Sequence, residues 1–302
     1  MSFAFLCSVF NFLGHVEMGY QRNKYRLFLV TAAAVLILAG CAPQIQEPIR
    51  VCPGRESAAV LLSILRPRSQ STVPIRANGQ CFAKFYAEGK LHQKNFPVKL
   101  WFSPPYQVRL QGDIGFNARA IVVGSNEKEF WLSIKPEING YWWGRWSEQK
   151  RLGKVKIDPK LVLETFGTVE VGDEASWSLS NEGAFDVLIK RNEQGAITKK
   201  MYIHSCGSLI SKIEYFDSQE HAAVVAKLDR YKEISEGFSV PTVAELISHN
   251  DDGTRNSFRI TLGSVRRREF AEKKKAVLFT RSKPQGFEHV YEVIDGHWLE
   301  EP

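Results

Sequence analysis

The chain has 302 residues, of which 44% are apolar and 24% charged, and this balance excludes both a disordered tail and a bundle of membrane helices. The formal net charge is +7, which suits an anionic lipid surface as well as it suits nucleic acid. The densest basic run is Arg266–Arg268 followed by Lys273–Lys275, and such a run is typical of a solvated surface that flanks a turn.

The segment 1–40 has the composition of a secretory signal peptide. Residues 22–26 are cationic, and residues 27–39 (LFLVTAAAVLILA) are apolar and uncharged but too few for a membrane-spanning helix. A complete signal begins at Met18. Residues 1–17 are therefore predicted to be an extension from an upstream start codon, or alternatively an unusually long n-region.

The sequence Leu38-Ala39-Gly40-Cys41 resembles the bacterial lipobox. The resemblance implies a diacylglycerol thioether on Cys41, cleavage before it and acylation of the new amino terminus by a chain such as palmitate. Such an anchor holds firmly, because each buried methylene contributes about 0.8 kcal/mol. The alternative is an ordinary signal with a chance cysteine at its border. Ala42 is not the Asp that marks inner-membrane retention in enterobacteria, so the periplasmic face of the outer membrane is favoured over the inner membrane.

Residues 41–55 predict a lipidated tether, and residues 56–302 predict a single domain. The exported chain keeps Cys52, Cys81 and Cys206, and an odd number allows one intramolecular disulfide at most. A Cys52–Cys81 bridge would join the first helix to the first strand, and a Cys81–Cys206 bridge would join two strands. No pair has the spacing of zinc ligands, so no metal site is predicted.

Helical periodicity predicts a helix over 56–66 that ends at Pro67, and a second helix over 157–166 with Asp158 as N-cap and Pro159 as first residue. Period-two alternation predicts strands over 79–86, 90–96, 98–102, 106–111, 116–123, 128–135, 140–147, 184–191, 197–204, 208–216, 222–234, 240–249, 256–265 and 275–283.

Residues 222–228 are ambiguous between strand and helix. These short runs amount to about eleven strands in sequential, mostly antiparallel order. The fold predicted is mainly β (α+β), an unclosed antiparallel half-barrel with helices covering its concave side.

Residues 96–134 resemble the LolA/LolB superfamily of lipoprotein-localisation factors, whose Y-x-L-x-L-x-G-P-L-G segment corresponds here to residues 106–115 (YQVRLQGDIG). The helix at 158–166 and the segment 283–287 (KPQGF) follow the same pattern. The resemblance implies a half-barrel with a helical lid and an apolar cavity for acyl chains, and a LolB-type member would be an outer-membrane lipoprotein.

The resemblance also implies that an apolar turn residue enters the membrane. The matching residue is Ile114, which replaces Leu, with Phe116 beside it, and Asp113 replaces the family's Pro. A carrier of acyl chains needs an apolar concave face, and the alternative for each candidate is an ordinary closed core. The residues predicted to line the cavity are Val98, Leu100, Phe102, Tyr106, Val108, Leu110, Phe130, Leu132 and Ile134.

Motifs of hydrolases, metalloproteases and nucleotide-binding proteins are absent from the sequence, so no catalytic residue, cofactor or enzyme activity is predicted. The sequence favours a membrane-anchored lipoprotein that binds acyl chains and takes part in lipoprotein or lipid localisation to the outer membrane. Its expected partners are membrane lipid, acyl cargo and a periplasmic carrier protein, without nucleic acid. The alternatives are an envelope sensor or binding lipoprotein on the same fold, and a structural envelope lipoprotein without carrier activity.

Overall fold

Alternating segments separated by tight turns pair into one sheet of fifteen strands. The computed structural model describes residues 51–87, 89–135, 138–147, 159–166, 172–250, 253–294 and 297–301. The proposed signal, Cys41, most of the tether and Asp158 lie outside these residues, and what the sequence suggests for them stays a prediction.

The helices are α1 (Ala58–Gln70), α2 (Pro159–Thr165) and α3 (Glu272–Leu278), with a 3₁₀ turn at Glu174–Ser176. The first six strands are β1 (Ile75–Ala87), β2 (Lys90–Ser103), β3 (Gln107–Ile114), β4 (Asn117–Ser125), β5 (Glu129–Ile134) and β6 (Gly140–Arg145). The other nine are β7 (Trp177–Glu182), β8 (Phe185–Arg191), β9 (Ile197–His204), β10 (Ile210–Phe216), β11 (Ala222–Ser235), β12 (Phe238–His249), β13 (Arg255–Arg267), β14 (His289–Ile294) and β15 (His297–Glu300).

The strand order is β15-β14-β6-β5-β4-β3-β2-β1-β13-β12-β11-β10-β9-β8-β7. The chain therefore builds two meanders, β1–β6 and β7–β13, which join where β1 pairs with β13. Neighbouring strands are antiparallel except β14 and β6, which run parallel. The sheet is unclosed, with β15 and β7 at its edges.

One face of the sheet, the inner face, packs under α1 and α2. Leu228, Ala244, Ile260, Cys81 and Phe96 are successive cross-strand partners, so their side chains share this face across five strands. Under α1, the inner face and the helix form one apolar core, and a second core continues under α2. The burial of both cores supplies the main stabilisation of the fold.

The two helices are placed by their apolar spacing. Leu61, Leu62 and Leu65 of α1 are buried against β8–β12, whereas α2 contributes Leu161 to that core and Val162 and Leu163 to the other. The helix α2 therefore lies over the junction of the two cores.

Successive turns lie at alternate ends of the antiparallel sheet. Turns 104–106, 205–209 and 236–237 lie at one end, which we call the root end because residue Cys52 is attached there. Turns 115–116 and 217–221 lie at the other, which we call the tip end. The direction of the strands alone determines whether a turn lies at the root end or at the tip end, because each of these strands runs opposite to its neighbour.

The described sheet has fifteen strands where about eleven were expected, and β7, β14 and β15 correspond to none of the predicted ranges. The predicted strand 275–283 is wrong, because its first part belongs to α3. The segment Glu272–Leu278 consists largely of good helix formers, and an ion pair of 2.9 Å joins Glu272 to Lys275 one turn later. The ambiguous segment 222–228 is part of β11.

The helix α1 does not end at Pro67, as the sequence suggested, but continues to Gln70. Proline removes one helical hydrogen bond, and tertiary contacts offset this loss. The carbonyl of Pro67 accepts hydrogen bonds from both the backbone amide and the hydroxyl of Ser71. Arg68 also donates to backbone carbonyls of the 205–209 turn, which fastens the last turn of the helix to the sheet.

Candidate functional site

A cavity of about 360 Å³ lies at the root end of the inner face. Its walls come from the carboxyl-terminal turns of α1 and α2, the 205–209 turn and the β11–β12 hairpin. The volume is within the range of about 300–1,000 Å³ found for small-molecule sites. The apolar part of the lining includes Leu65, Leu209, Ile210, Leu228, Tyr231 and Phe238.

The rim of the cavity is polar, but its strongest donors are already engaged. The Arg68 guanidinium donates to the carbonyls of Gly207 at 3.2 Å and Ser208 at 2.5 Å. The Tyr231 hydroxyl donates to the carbonyl of Ile210 at 2.6 Å, and burial raises its pKa above the ordinary value for tyrosine. The wall thus presents few polar groups that still require a partner, which suits an apolar ligand.

A buried ion pair borders the cavity beneath α2. Glu164 of α2 accepts a hydrogen bond from the Lys199 ammonium of β9 at 2.5 Å, and their side chains are only 3% and 8% exposed. The hydroxyl of Tyr215 on β10 donates to the same carboxylate oxygen. Because α2 otherwise contacts the sheet through apolar side chains, this pair fixes the position of the helix along the sheet.

The root of the N-terminal tether is fastened to the turn that lines the cavity. A disulfide joins Cys52 to Cys206, with the two Cα atoms 5.0 Å apart. Arg55 adds a backbone hydrogen bond to the Asp186 carboxylate at 3.0 Å and a guanidinium bond to the Ser208 hydroxyl at 3.2 Å. The two disulfides that the sequence analysis considered, Cys52–Cys81 and Cys81–Cys206, do not form, because Cys81 is buried on the inner face within the core.

Cys81 is a buried free thiol, and burial raises its pKa to about 12. Only the thiolate is nucleophilic, so we expect no reaction between folded protein and a maleimide at pH 8, and stoichiometric reaction after denaturation. Mass spectrometry before and after addition of denaturant measures this difference. Rapid labelling of the native protein would contradict the packing described for β1.

The residues predicted to line the cavity occupy one face but not this cavity. Cross-strand pairing places eight of the nine on the inner face: Val98, Leu100, Phe102, Val108, Leu110, Phe130, Leu132 and Ile134. None of them is in the lining of the root-end cavity. Leu100, Phe102 and Val108 are completely buried, so at these positions the alternative of an ordinary core describes the packing.

Tyr106 is the ninth residue, and its expected place on the inner face is wrong. It lies in the turn between β2 and β3, where its side chain is 45% exposed. The alternation that predicted its side-chain direction begins one residue later, at Gln107. The residues that do line the cavity come from α1, α2, the 205–209 turn and the β11–β12 hairpin, whose proximity no local sequence pattern reveals.

The turn of residues 115–116 at the tip end separates the two membrane-insertion candidates. The Phe116 side chain is fully exposed. Ile114 is half-buried and packs against the inner core, so it does not project as the sequence comparison suggested. Phe116 is therefore the one residue of the two that could contact a surface, and this role stays a prediction.

Asp113 stabilises this hairpin. Its carboxylate accepts hydrogen bonds from the Arg119 amide at 2.8 Å and the Gln111 amide group at 3.0 Å, and forms a 3.0 Å ion pair with Lys99. These contacts, the Arg119 amide first among them, lower its pKa to about 2. The charge that would have faced lipid headgroups is thus engaged within the hairpin.

We expect Asp113→Asn to lower the free energy of unfolding by about 1 kcal/mol at pH 7, the scale of one charge-assisted hydrogen bond. Because the folded pKa is depressed, the contribution is complete above the unfolded pKa of about 3.8 and is lost as the pH falls toward about 2. Urea unfolding of both proteins between pH 7 and pH 3 should show the difference shrinking below about pH 4. A difference that does not change with pH would contradict this assignment.

The aromatic residues of β6 pack within the sheet rather than at the cavity. Tyr141 and Trp143 belong to the outer face, where Tyr141 contacts Phe287 at a ring distance of 5.2 Å. Trp146 packs on Phe130 at 5.0 Å. The cluster therefore joins the first meander to the C-terminal segment.

Within the described residues, no group of three or more His, Cys, Asp or Glu side chains could hold a metal ion. A helix of the length and apolarity needed to cross a membrane is likewise missing from that part of the chain. The site is an apolar cavity with a polar rim.

No family model matches the sequence, and no curated protein matches it. Among solved structures, the chain is similar to a LolA superfamily protein from Nitrosomonas europaea, with a TM-score of 0.46 and 11% identity over 75% of this chain and 99% of that one. A DUF1329 family protein from Desulfovibrio piger gives a TM-score of 0.47 and 12% identity over 76% and 99% of the two chains. An outer membrane lipoprotein-sorting protein domain from Vibrio parahaemolyticus gives 0.49 and 10% over 74% and 99%.

Proposed function

We propose that this protein is a membrane-anchored lipoprotein of the cell envelope that binds a lipid acyl chain at the root end of its inner face. The anchor is the acylated Cys41, and the favoured location is the periplasmic face of the outer membrane. The bound chain belongs to a lipid or a lipoprotein that the protein receives or passes on. A periplasmic carrier protein is the expected partner in that exchange.

The root-end cavity is the observation that carries this proposal. Most of its lining is apolar, the donors Arg68 and Tyr231 are engaged with backbone carbonyls, and the exposed Glu233 lies at its rim. An acyl chain needs an apolar wall and no fixed polar contact, whereas a polar metabolite would require unpaired donors or acceptors. The eight inner-face residues predicted from the sequence extend the same face, and they are proposed as the surface along which a longer chain would continue.

A fluorescent fatty acid tests this proposal with a soluble form that lacks residues 1–40 and carries Cys41→Ala. We expect saturable binding that Leu209→Trp abolishes, because the larger side chain fills the cavity from a half-buried turn position. Leu299→Trp is the matched control, since Leu299 is half-exposed on the far edge strand β15. Equal binding by both variants, with unchanged thermal unfolding, would contradict the site.

The two alternatives make other predictions for the same measurement. A structural envelope lipoprotein would bind no acyl probe in any variant, and complete packing of the core beneath β2 and β3 is the observation that favours it. A sensor on the same fold would bind the probe and would also retain a dedicated protein partner after purification. Phe116 is proposed as the contact residue at the tip end, for a membrane or for a partner.

A further inference from the structure

The root end differs from the rest of the sheet in three features. The first is the tether root, because Cys52 is bonded to Cys206 in the 205–209 turn. Cys52 follows the proposed lipid site Cys41 by eleven residues, which span at most about 40 Å at ~3.3–3.6 Å per residue. The disulfide thus keeps the membrane within this distance of the root end.

The second feature is the basic run singled out in the sequence. Arg266–Arg268 ends β13 at the root end, and Lys273–Lys275 lies on α3 directly after it. The α3 segment is fixed there because the carbonyl of Phe279 accepts a hydrogen bond from Asn126 in the β4–β5 turn. The run therefore lies at the same end of the sheet as the cavity.

Most of this positive charge is not neutralised within the protein. Arg267 pairs with Glu269 at 3.3 Å, and Lys275 pairs with Glu272. The other four basic residues are exposed and form no ion pair among the described parts of the chain: Arg266, Arg268, Lys273 and Lys274.

The acidic residues of the hairpin at this end form no ion pair with the basic run among the described residues. Glu233 and Glu236 belong to the end of the β11–β12 hairpin, on the cavity side of the basic run. The amine of Lys232 donates to the carbonyl of Val265 at 3.0 Å and connects this hairpin to the end of β13. The cavity and the basic run are thus parts of one surface.

The third feature is a pair of exposed valines. Val51, beside Cys52, is 68% exposed, and Val277 on α3 is 74% exposed. Isolated apolar side chains next to lysine and arginine are typical of segments that lie at the interface of an anionic bilayer.

We propose that the root end lies on the membrane that holds the lipid anchor, with the basic run on anionic lipid headgroups and the cavity opening toward the acyl chains of that membrane. This inference rests on the proposed acylation of Cys41. The acyl chain then enters the cavity from the anchoring membrane. In this orientation the tip end with Phe116 lies away from that membrane, because β3 alone separates the ends by eight residues, about 26 Å at ~3.3 Å per residue. Of the two contacts proposed for Phe116, the one with a protein partner then applies.

Site-directed fluorescence on the full, acylated protein in vesicles tests this orientation. A fluorophore is attached after Glu236→Cys at the root end or after Phe116→Cys at the tip end, since Cys81 is buried and the other two cysteines are bonded. The vesicles contain phosphatidylcholine and phosphatidylglycerol with a headgroup-attached quencher. We expect severalfold stronger quenching at position 236 than at position 116, and a weaker difference without phosphatidylglycerol.

Charge substitutions supply the control. Arg266→Gln combined with Arg268→Gln should reduce quenching at position 236, whereas Lys90→Gln combined with Arg255→Gln removes the same charge at the tip end and should not. Stronger quenching at position 116 would overturn the orientation and leave acyl binding intact. Equal quenching at the two positions, unchanged by either pair of substitutions, would also overturn the orientation. A protein that does not float with the vesicles lacks the lipid anchor, and that result would overturn both proposals.

Discussion

Replacing Lys199 by methionine is expected to lower the free energy of unfolding by about 3–5 kcal/mol, the cost of leaving one charge of a buried pair without its partner. The substitution keeps the apolar volume but leaves the Glu164 carboxylate, with a 3% exposed side chain, with Tyr215 as its one remaining hydrogen-bond donor among the described residues. Urea unfolding followed by circular dichroism measures the loss. The substitution should also shift the position of α2, because Glu164 binds this helix to Lys199 of β9 and Tyr215 of β10.

Two further variants separate charge burial from general damage. Lys199→Met combined with Glu164→Gln should recover much of the stability, since a neutral amide can still bond Tyr215 without an uncompensated charge. Lys227→Met changes an exposed lysine of β11 and should stay within about 0.5 kcal/mol of the parent protein. A loss below about 1 kcal/mol for Lys199→Met would show that the pair is solvated.

Removing the disulfide is the second large change. Replacing Cys52 and Cys206 together by serine should lower stability by about 2–5 kcal/mol, because the bridge closes a loop over a sequence separation of 154 residues and restricts the unfolded chain. Thermal unfolding with and without reductant measures the same quantity in the unchanged protein. The upper part of the range applies if Arg55 loses its contacts to Asp186 and Ser208 when the covalent bond is absent.

Cys81→Ser is the matched control for this prediction, since it removes the other thiol without touching the bridge. The difference in stability between Cys81→Ser and the parent protein should be the same with and without reductant. That difference need not be zero, because a buried hydroxyl lowers the free energy of unfolding. If reductant leaves the unfolding temperature of the parent protein unchanged, the Cys52–Cys206 bridge does not contribute to stability as described.

The sequence predicted the positions of strands well where apolar and polar residues alternate and one face of the strand is buried. Leu100 and Val108 follow the period of two that an inner face requires, and β2 and β3 formed where expected. Wrong assignments arose where local preference and tertiary context disagree. Pro67 is a helix terminator in isolation, yet Arg68 holds one more turn of α1 on the sheet.

The cavity could not be predicted because it joins distant segments. Leu209 and Phe238 come together through the pairing of β10, β11 and β12, and Leu65 and Glu164 join them only when α1 and α2 pack on the inner face. Cysteine counting allowed one bridge but did not choose the partners, since that choice depends on where the tether root meets the 205–209 turn. Eight of the nine residues predicted to bind acyl chains do share the inner face with the cavity, but they lie on other strands, and acyl binding stays a prediction.

Native mass spectrometry of the soluble form, purified from bacterial cells without added lipid, tests acyl-chain binding most directly. We expect a bound species whose mass corresponds to one acyl lipid or lipopeptide per protein, present in the Leu299→Trp variant and missing in the folded Leu209→Trp variant. A folded protein that carries no lipid in any form, or the same lipid in both variants, would contradict acyl-chain binding at the root-end cavity.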